Sequence, residues 1–253
     1  MKQIILLIAT ALFGSAGLMA QDASAVLRAT SDFSALHSAI PDRSIHYDTN
    51  DKKSTKEINV FNENNFHIQT DIFIWDEATA GWKPDGKTVH TPDSKGRSTL
   101  NIHYSAAGAE ESKEEMSYEG DHFYPKTVTS FTKEGGSWVS EATITYTKIE
   151  VDAIGRSTLL EGTTEVDGMS ITIKTATTYE GDITYIKNDI MMGGAIFQTS
   201  EAKNELVDKS NPYITKNYTK ENGAWKYTGM DYDYFSDRKP DNPNSNETIT
   251  AEK

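Results

Sequence analysis

The fold of this chain is constrained first by a short stretch that occurs twice. Phe131-Thr-Lys-Glu-Gly-Gly-Ser-Trp138 returns, little changed, as Tyr218-Thr-Lys-Glu-Asn-Gly-Ala-Trp225. Each copy brings an aromatic residue and a Thr to the end of one strand, turns through a charged segment containing Gly, and opens the next strand on Trp. Asn222-Gly223 is the favoured dipeptide for a two-residue hairpin turn with positive φ at both central positions, and Gly135-Gly136 meets the same need. A looser relative runs from Phe73-Ile-Trp75 to Gly81-Trp82 with a longer insert. The pattern predicts a chain built of β-hairpins.

Two further matches point to a larger unit. Gly96-Arg-Ser-Thr-Leu100 reappears as Gly155-Arg-Ser-Thr-Leu159, and Tyr118-Glu-Gly-Asp121 reappears as Tyr179-Glu-Gly-Asp182, at offsets of 59 and 61. Nearly equal offsets make residues 93–150 and 152–209 read as two copies of one unit. In the second copy, strands are predicted over 156–166, 169–179, 183–191 and 195–207, divided by Asp167-Gly168, Glu180-Gly-Asp182 and Gly193-Gly194. Connections this short join only antiparallel neighbours. A half copy over 212–219 and 225–235 closes the array, and earlier strands are expected over 58–60, 66–75 and 82–90. The acidic run Glu110-Glu-Ser-Lys-Glu-Glu115 reads as a solvated hairpin loop.

The expected fold is therefore all-β, an antiparallel meander of repeated hairpins in an extended or curled single sheet. Residues 1–20 read as a signal peptide: Lys2 is the positive start, residues 4–18 are an apolar run, and Leu18-Met-Ala20 is a cleavage site, with Ala23-Ser-Ala25 as a second candidate. Residues 21–56 are expected to be an N-terminal arm or cap followed by a linker. A short helix is allowed there, with Ser31 or Asp32 as cap, Phe33, Leu36, His37 and Ile40 on adjacent turns, and Pro41 as its stop. The hairpin domain is expected over 57–235, and a disordered tail over 236–253.

Composition bears on the surface and the compartment. A hydrophobic share of 36% is low for 253 residues, so at least one face of the sheet is expected to be wet. The net charge of -13 becomes -14 when Lys2 leaves with the leader, which disfavours nucleic acid and anionic membrane as partners. The chain has no Cys, and an exported chain without disulfides fits a bacterial periplasm or cell surface.

At Trp138, Gly155-Arg156, Tyr179-Glu-Gly-Asp182 and residues 225–234, the sequence resembles secreted β-hairpin repeat proteins of unknown function from Bacteroidetes-type bacteria. It is also distantly similar to the YD repeats of large bacterial surface proteins. The tyrosines of that second pattern are missing at Thr91-Pro-Asp93 and Glu150-Val-Asp152. The resemblance spans residues 59–235, implies an extended or curled meander, and brings no catalytic residues with it.

Chemistry-bearing motifs are sparse. The histidines at 37, 46, 67, 90, 103 and 122 fall into no ligand spacing, so they read as isolated surface residues and no metal site is expected. Asp231 and Asp233 share one strand face and Tyr232 and Tyr234 the other, which reads as one wet face and one packed face. Gly-x-Ser-x-Gly, Gly-x-Gly-x-x-Gly and phosphate-loop patterns are absent, so no cofactor is expected. Trp75, Trp82, Trp138, Trp225, Tyr232 and Tyr234 are the candidate ligand-binding residues, as a stripe able to stack on sugar rings or on a partner's apolar patch. Cross-strand packing competes for the same rings.

The expected function is an exported, non-enzymatic binding or interaction module for a glycan or an envelope protein. The runner-up is a hydrolase or metal-dependent enzyme with a site assembled from distant strands. A membrane barrel is opposed by residues 138–147, which show no lipid-facing apolar band, and by the lack of an aromatic C-terminal strand end.

Overall fold

The computed structural model describes residues 40–120, 123–166 and 168–235. The expected signal peptide, N-terminal helix and C-terminal tail lie outside the described residues. Within them the chain forms β1 (Arg43–Tyr47), β2 (Lys53–Phe61), β3 (His67–Asp76), β4 (Gly81–Pro92), β5 (Ser98–Ser105), β6 (Glu110–Ser117) and β7 (Thr127–Glu134). It continues with β8 (Ser137–Val151), β9 (Ser157–Val166), β10 (Met169–Glu180), β11 (Ile183–Met192), β12 (Ala195–Asp208), β13 (Tyr213–Glu221) and β14 (Ala224–Tyr234). The strands predicted at 169–179, 183–191 and 195–207 match β10, β11 and β12 to within a residue at each end.

Every strand pairs antiparallel with its chain neighbour, and β1 pairs with β14, so the sheet closes into a barrel. This corrects the expectation of an open or curled sheet. It also corrects the reading of residues 41–56 as a linker, because β1 lies there. The reason is visible in Arg43-Ser-Ile-His-Tyr47: the inward positions are Ser44 and His46, so the strand carries polar residues on the face where an apolar alternation is sought.

The closing pair is matched on both faces. Inside, Ser44 sits opposite Asp233 and His46 opposite Asp231; outside, Tyr47 packs against Tyr232 with ring centroids 4.9 Å apart, and the Arg43 guanidinium lies 4.0 Å above the Tyr234 ring. Gly229 makes the junction possible. Its φ is 143°, and a Cβ there would lie 2.1 Å from the Tyr47 carbonyl oxygen.

Residues 110–115 also differ from expectation, since they form most of β6 rather than a loop. Pairing explains it: Lys113 Nζ lies 2.5 Å from Glu115 Oε1 and Lys133 Nζ lies 2.8 Å from Glu110 Oε2, so the strand's charges are neutralised locally. The tip of that hairpin falls instead before Ala109, where Ser105 N bonds to Ala109 O at 2.9 Å.

The hairpin tips behave as the sequence predicted. Asn222 and Gly223 have φ of 52° and 82°, and Gly135 and Gly136 have 55° and 86°. These tips, with that of β3–β4, lie at one end of the barrel. At the other end, two turns make the same contacts. Asp93 accepts from the backbone N–H of Lys95 and Arg97, Arg97 Nε donates back to Asp93 at 2.8 Å, and the guanidinium lies 4.4 Å above Tyr118. Asp152, Ile154, Arg156 and Tyr179 repeat the set, with a cation-to-ring distance of 3.9 Å. Tyr118 and Tyr179 then donate to the carbonyls of Ser98 and Ser157, tying each turn to the next hairpin.

The interior has two characters. From β7 to β11 the inward residues are mainly aliphatic: Ile144, Leu160, Ile171, Ile173, Ile186 and Ile190, with Ile171 only 1% exposed. From β12 through the closure to β6 they are mainly polar. The outward face carries Lys174, Lys187, Asp189, Glu201 and Lys203 at mid-strand positions. A wall of this composition suits water, since hydrocarbon penalises each such lysine by about 2–4 kcal/mol at mid-depth and each acid by less.

Candidate functional site

The polar half of the interior is assembled from two neighbouring clusters. In the first, Ser44 Oγ donates to Asp233 Oδ1 at 2.6 Å, and His46 Nδ1 lies 2.6 Å from Asp231 Oδ1. Asn217 Nδ2 donates to the other oxygen of Asp231 at 2.6 Å. The imidazole of His46 is thus held in one orientation, with Nε2 directed toward Glu57 at 3.7 Å. Ser44 and His46 each engage a carboxylate of their own, so the cluster does not present a hydroxyl to the imidazole as a nucleophile would require. Asp231 is 3% exposed and Asp233 8%, which reverses the expectation that the aspartates make the wet face and the tyrosines the packed one.

The second cluster crosses β2 to β6. Thr70 Oγ1 donates to Asn59 Oδ1 at 2.7 Å and lies 2.9 Å from His67 Nε2. His67 and His90 stack with centroids 4.1 Å apart. His90 Nδ1 lies 2.8 Å from Asn101 Oδ1, which also accepts from Ser98, while Asn101 Nδ2 donates to Glu114. Beside them, Thr88 Oγ1 lies 2.8 Å from His103 Nδ1. Burial pushes the His90 pKa below its ordinary value, against the pull of its bond to Asn101. Four of the histidines read as isolated surface residues are therefore inward and connected; His37 and His122 lie outside the described residues.

Alternating donors and acceptors face the interior from eight neighbouring strands, opposite an aliphatic wall. Among the described residues, no group of three or more His, Asp or Glu is arranged to hold a metal ion.

The six aromatic candidates all lie on the outward face. Trp75 and Trp82 meet edge to face at 5.1 Å, with Lys53 Nζ 4.7 Å above Trp75 and Lys56 Nζ 5.2 Å from Trp82. Trp138 sits beneath Lys133 at 4.3 Å and Lys113 at 5.3 Å. Trp225 packs on Tyr185 at 6.0 Å and under Lys220 at 5.5 Å. Tyr232 and Tyr234 belong to the closing seam. The structure brings Trp75 with Trp82 and Tyr232 beside Tyr234's strand face, and keeps Trp138 and Trp225 in separate hairpins.

No protein-family model matches the chain, and no curated protein matches it. Among solved structures it is similar to a porin-like protein from Bacteroides uniformis. The TM-score is 0.41 and the sequence identity 9%, over 77% of this chain and 95% of that one.

The inward clusters are the functional candidates that sequence reasoning missed. Their trace is a polar alternation, Ser44-x-His46, Glu57-x-Asn59, Thr88-x-His90 and Asn101-x-His103, in which every second residue can hydrogen-bond. A search for metal spacings passes over it, because the partners of each histidine come from neighbouring strands.

Proposed function

We propose that this protein is an exported, non-enzymatic binding module of the bacterial envelope that takes a hydroxyl-rich ligand, of the glycan class, against the polar half of its interior. The observation that carries this reading is the division of the inward face into a hydrogen-bonding arc and an aliphatic arc. A barrel that had only to close would be served by aliphatic residues throughout, since each hydrogen-bonding group taken from water costs about 1–3 kcal/mol unless partnered. A sugar offers hydroxyls to His90, Asn101 and Glu114 and an apolar C–H face to Ile173 and Ile190. Export rests on the leader pattern of residues 1–20. The outward rings, capped by lysines, are assigned to packing of the wall.

A glycan array probed with the mature chain, followed by calorimetry on any retained sugar, tests the proposal. Asn101→Leu severs the chain from His90 to Glu114 and is expected to weaken binding about tenfold while the circular dichroism stays that of a β-barrel. An array with no retained glycan sinks the reading, as does an Asn101→Leu variant that binds like the wild type.

A further inference from the structure

One joint in the barrel wall is incomplete. The β8–β9 ladder begins at Thr145↔Thr163 and runs only toward Val151. Beyond it, Ile144 and Thr143 lie level with Thr164 and Glu165, yet these residues pair only with β7 and β10 on their far sides. β8 goes on to Ser137, so eight of its residues, spanning roughly 27 Å at strand rise, have a strand on one side only.

A cavity of about 520 Å³ occupies this joint. It is lined by residues of both faces of the sheet, inward Ala142 and Thr164 and outward Thr143, Thr145, Thr163 and Glu165. Thr164 is 3% exposed and its hydroxyl has no hydrogen-bond partner. A buried hydroxyl in that state costs about 1–3 kcal/mol, which an incoming polar group would recover.

The charge at the joint indicates what fits. At the comparable step between β12 and β13, the ladder starts at Ala202↔Thr219 and the frayed end is bridged by Lys220 Nζ to Glu201 Oε2 at 2.8 Å. At β8–β9 the acidic side chains lining the cavity are Glu141, which accepts from Thr132 Oγ1, and Glu165, and among the described residues no cation lines it. The wall is completed there by neither backbone pairing nor an ion pair.

We propose that the β8–β9 joint is a strand-addition site for an extended, basic polypeptide segment of a partner protein. The segment pairs its backbone with the open edge of β8, gives a hydrogen bond to Thr164, and sets a Lys or Arg between Glu141 and Glu165. Alternate side chains of such a strand face the two sides of the wall, which matches a cavity lined by residues of both faces. This site is independent of the interior arc.

A phage-displayed library of random octapeptides, selected against the folded chain, tests the proposal. Selected peptides are expected to carry Lys or Arg at alternate positions. The double variant Glu141→Gln with Glu165→Gln should bind them about tenfold more weakly, as loss of two exposed ion pairs allows. A second variant, Thr143→Cys with Glu165→Cys, closes the joint by a disulfide; oxidation should abolish binding and reduction restore it to the level of the single Glu165→Cys variant. Failure to select any peptide, selection of peptides without basic residues, or binding that survives oxidation of the cysteine pair would overturn the proposal.

Discussion

His46 Nδ1 and Asp231 Oδ1 stand 2.6 Å apart although 185 residues separate them, and both side chains are nearly shut off from solvent. They join the first strand to the last, so this contact is also where the barrel closes. Removing one member leaves the other buried without its partner, which costs about 1–3 kcal/mol for a buried hydrogen-bonding group. Asp231→Ala is expected to lower the unfolding free energy by about that amount, measured by urea denaturation. Asn217 would lose its acceptor in the same variant, so His46→Ala, which leaves Asn217 bonded, should cost less.

Gly229→Ala should act on the same seam from the backbone. With φ at 143° and its Cβ 2.1 Å from the Tyr47 carbonyl oxygen, an alanine can be accommodated only if β1 moves away. The expected cost is about 2–4 kcal/mol, with amide hydrogen exchange faster in β1 and β14 than in β10 and β11. Gly81→Ala is the control, because its nearest neighbour is 3.7 Å away and its φ is ordinary. Equal exchange in all four strands would show that the seam tolerates the side chain.

Burial lowers the His90 pKa from 6.5, so the folded chain holds this imidazole neutral where the unfolded chain begins to protonate it. The unfolded state therefore takes up the proton first as the pH falls. The stability tied to His90 is complete above about pH 6.5 and is lost as the pH drops from there through the lowered folded value. His67, His103 and Glu114 face the same group and set its field. Melting temperatures of wild type and His90→Gln, compared between about pH 7.5 and pH 5, should converge as the pH falls. Parallel curves would place the titration elsewhere.

Trp138→Ala should cost stability and leave ligand binding alone. The ring lies under Lys113 and Lys133 and is half-buried at a hairpin tip, so its loss is expected to remove about 1–2 kcal/mol. Glycan affinity should stay within about twofold, an energy below 0.5 kcal/mol. Unchanged stability with lost affinity would assign the ring to the ligand.

Local structure was legible where turn chemistry is local. Asn222-Gly223, Gly135-Gly136 and Gly193-Gly194 fix their hairpins through φ alone, and β10 to β12 fall where their turns put them. Closure was not legible, because it depends on β1, a five-residue strand whose inward residues are polar and whose partner lies at the far end of the described chain. For the same reason Asp231 and Asp233 looked solvated: a carboxylate meeting a histidine and a serine across a seam has no signature within its own strand. The histidine network was hidden likewise, since each link, such as His90 to Asn101, crosses between strands.

The matching of Arg43 to Tyr234 places the first and last residues of the barrel side by side. All other pairings join strands adjacent in sequence, so the chain is a ring of hairpins cut at one point. Joining residues 43 and 234 with a short linker and opening the chain at any hairpin tip would give a circular permutant with the same neighbours throughout. In such a permutant the long-range pairing of His46 with Asp231 becomes a hairpin contact, and a different pair of strands must find each other last. The order of assembly is thus set by where the chain happens to begin, while the finished wall is indifferent to it.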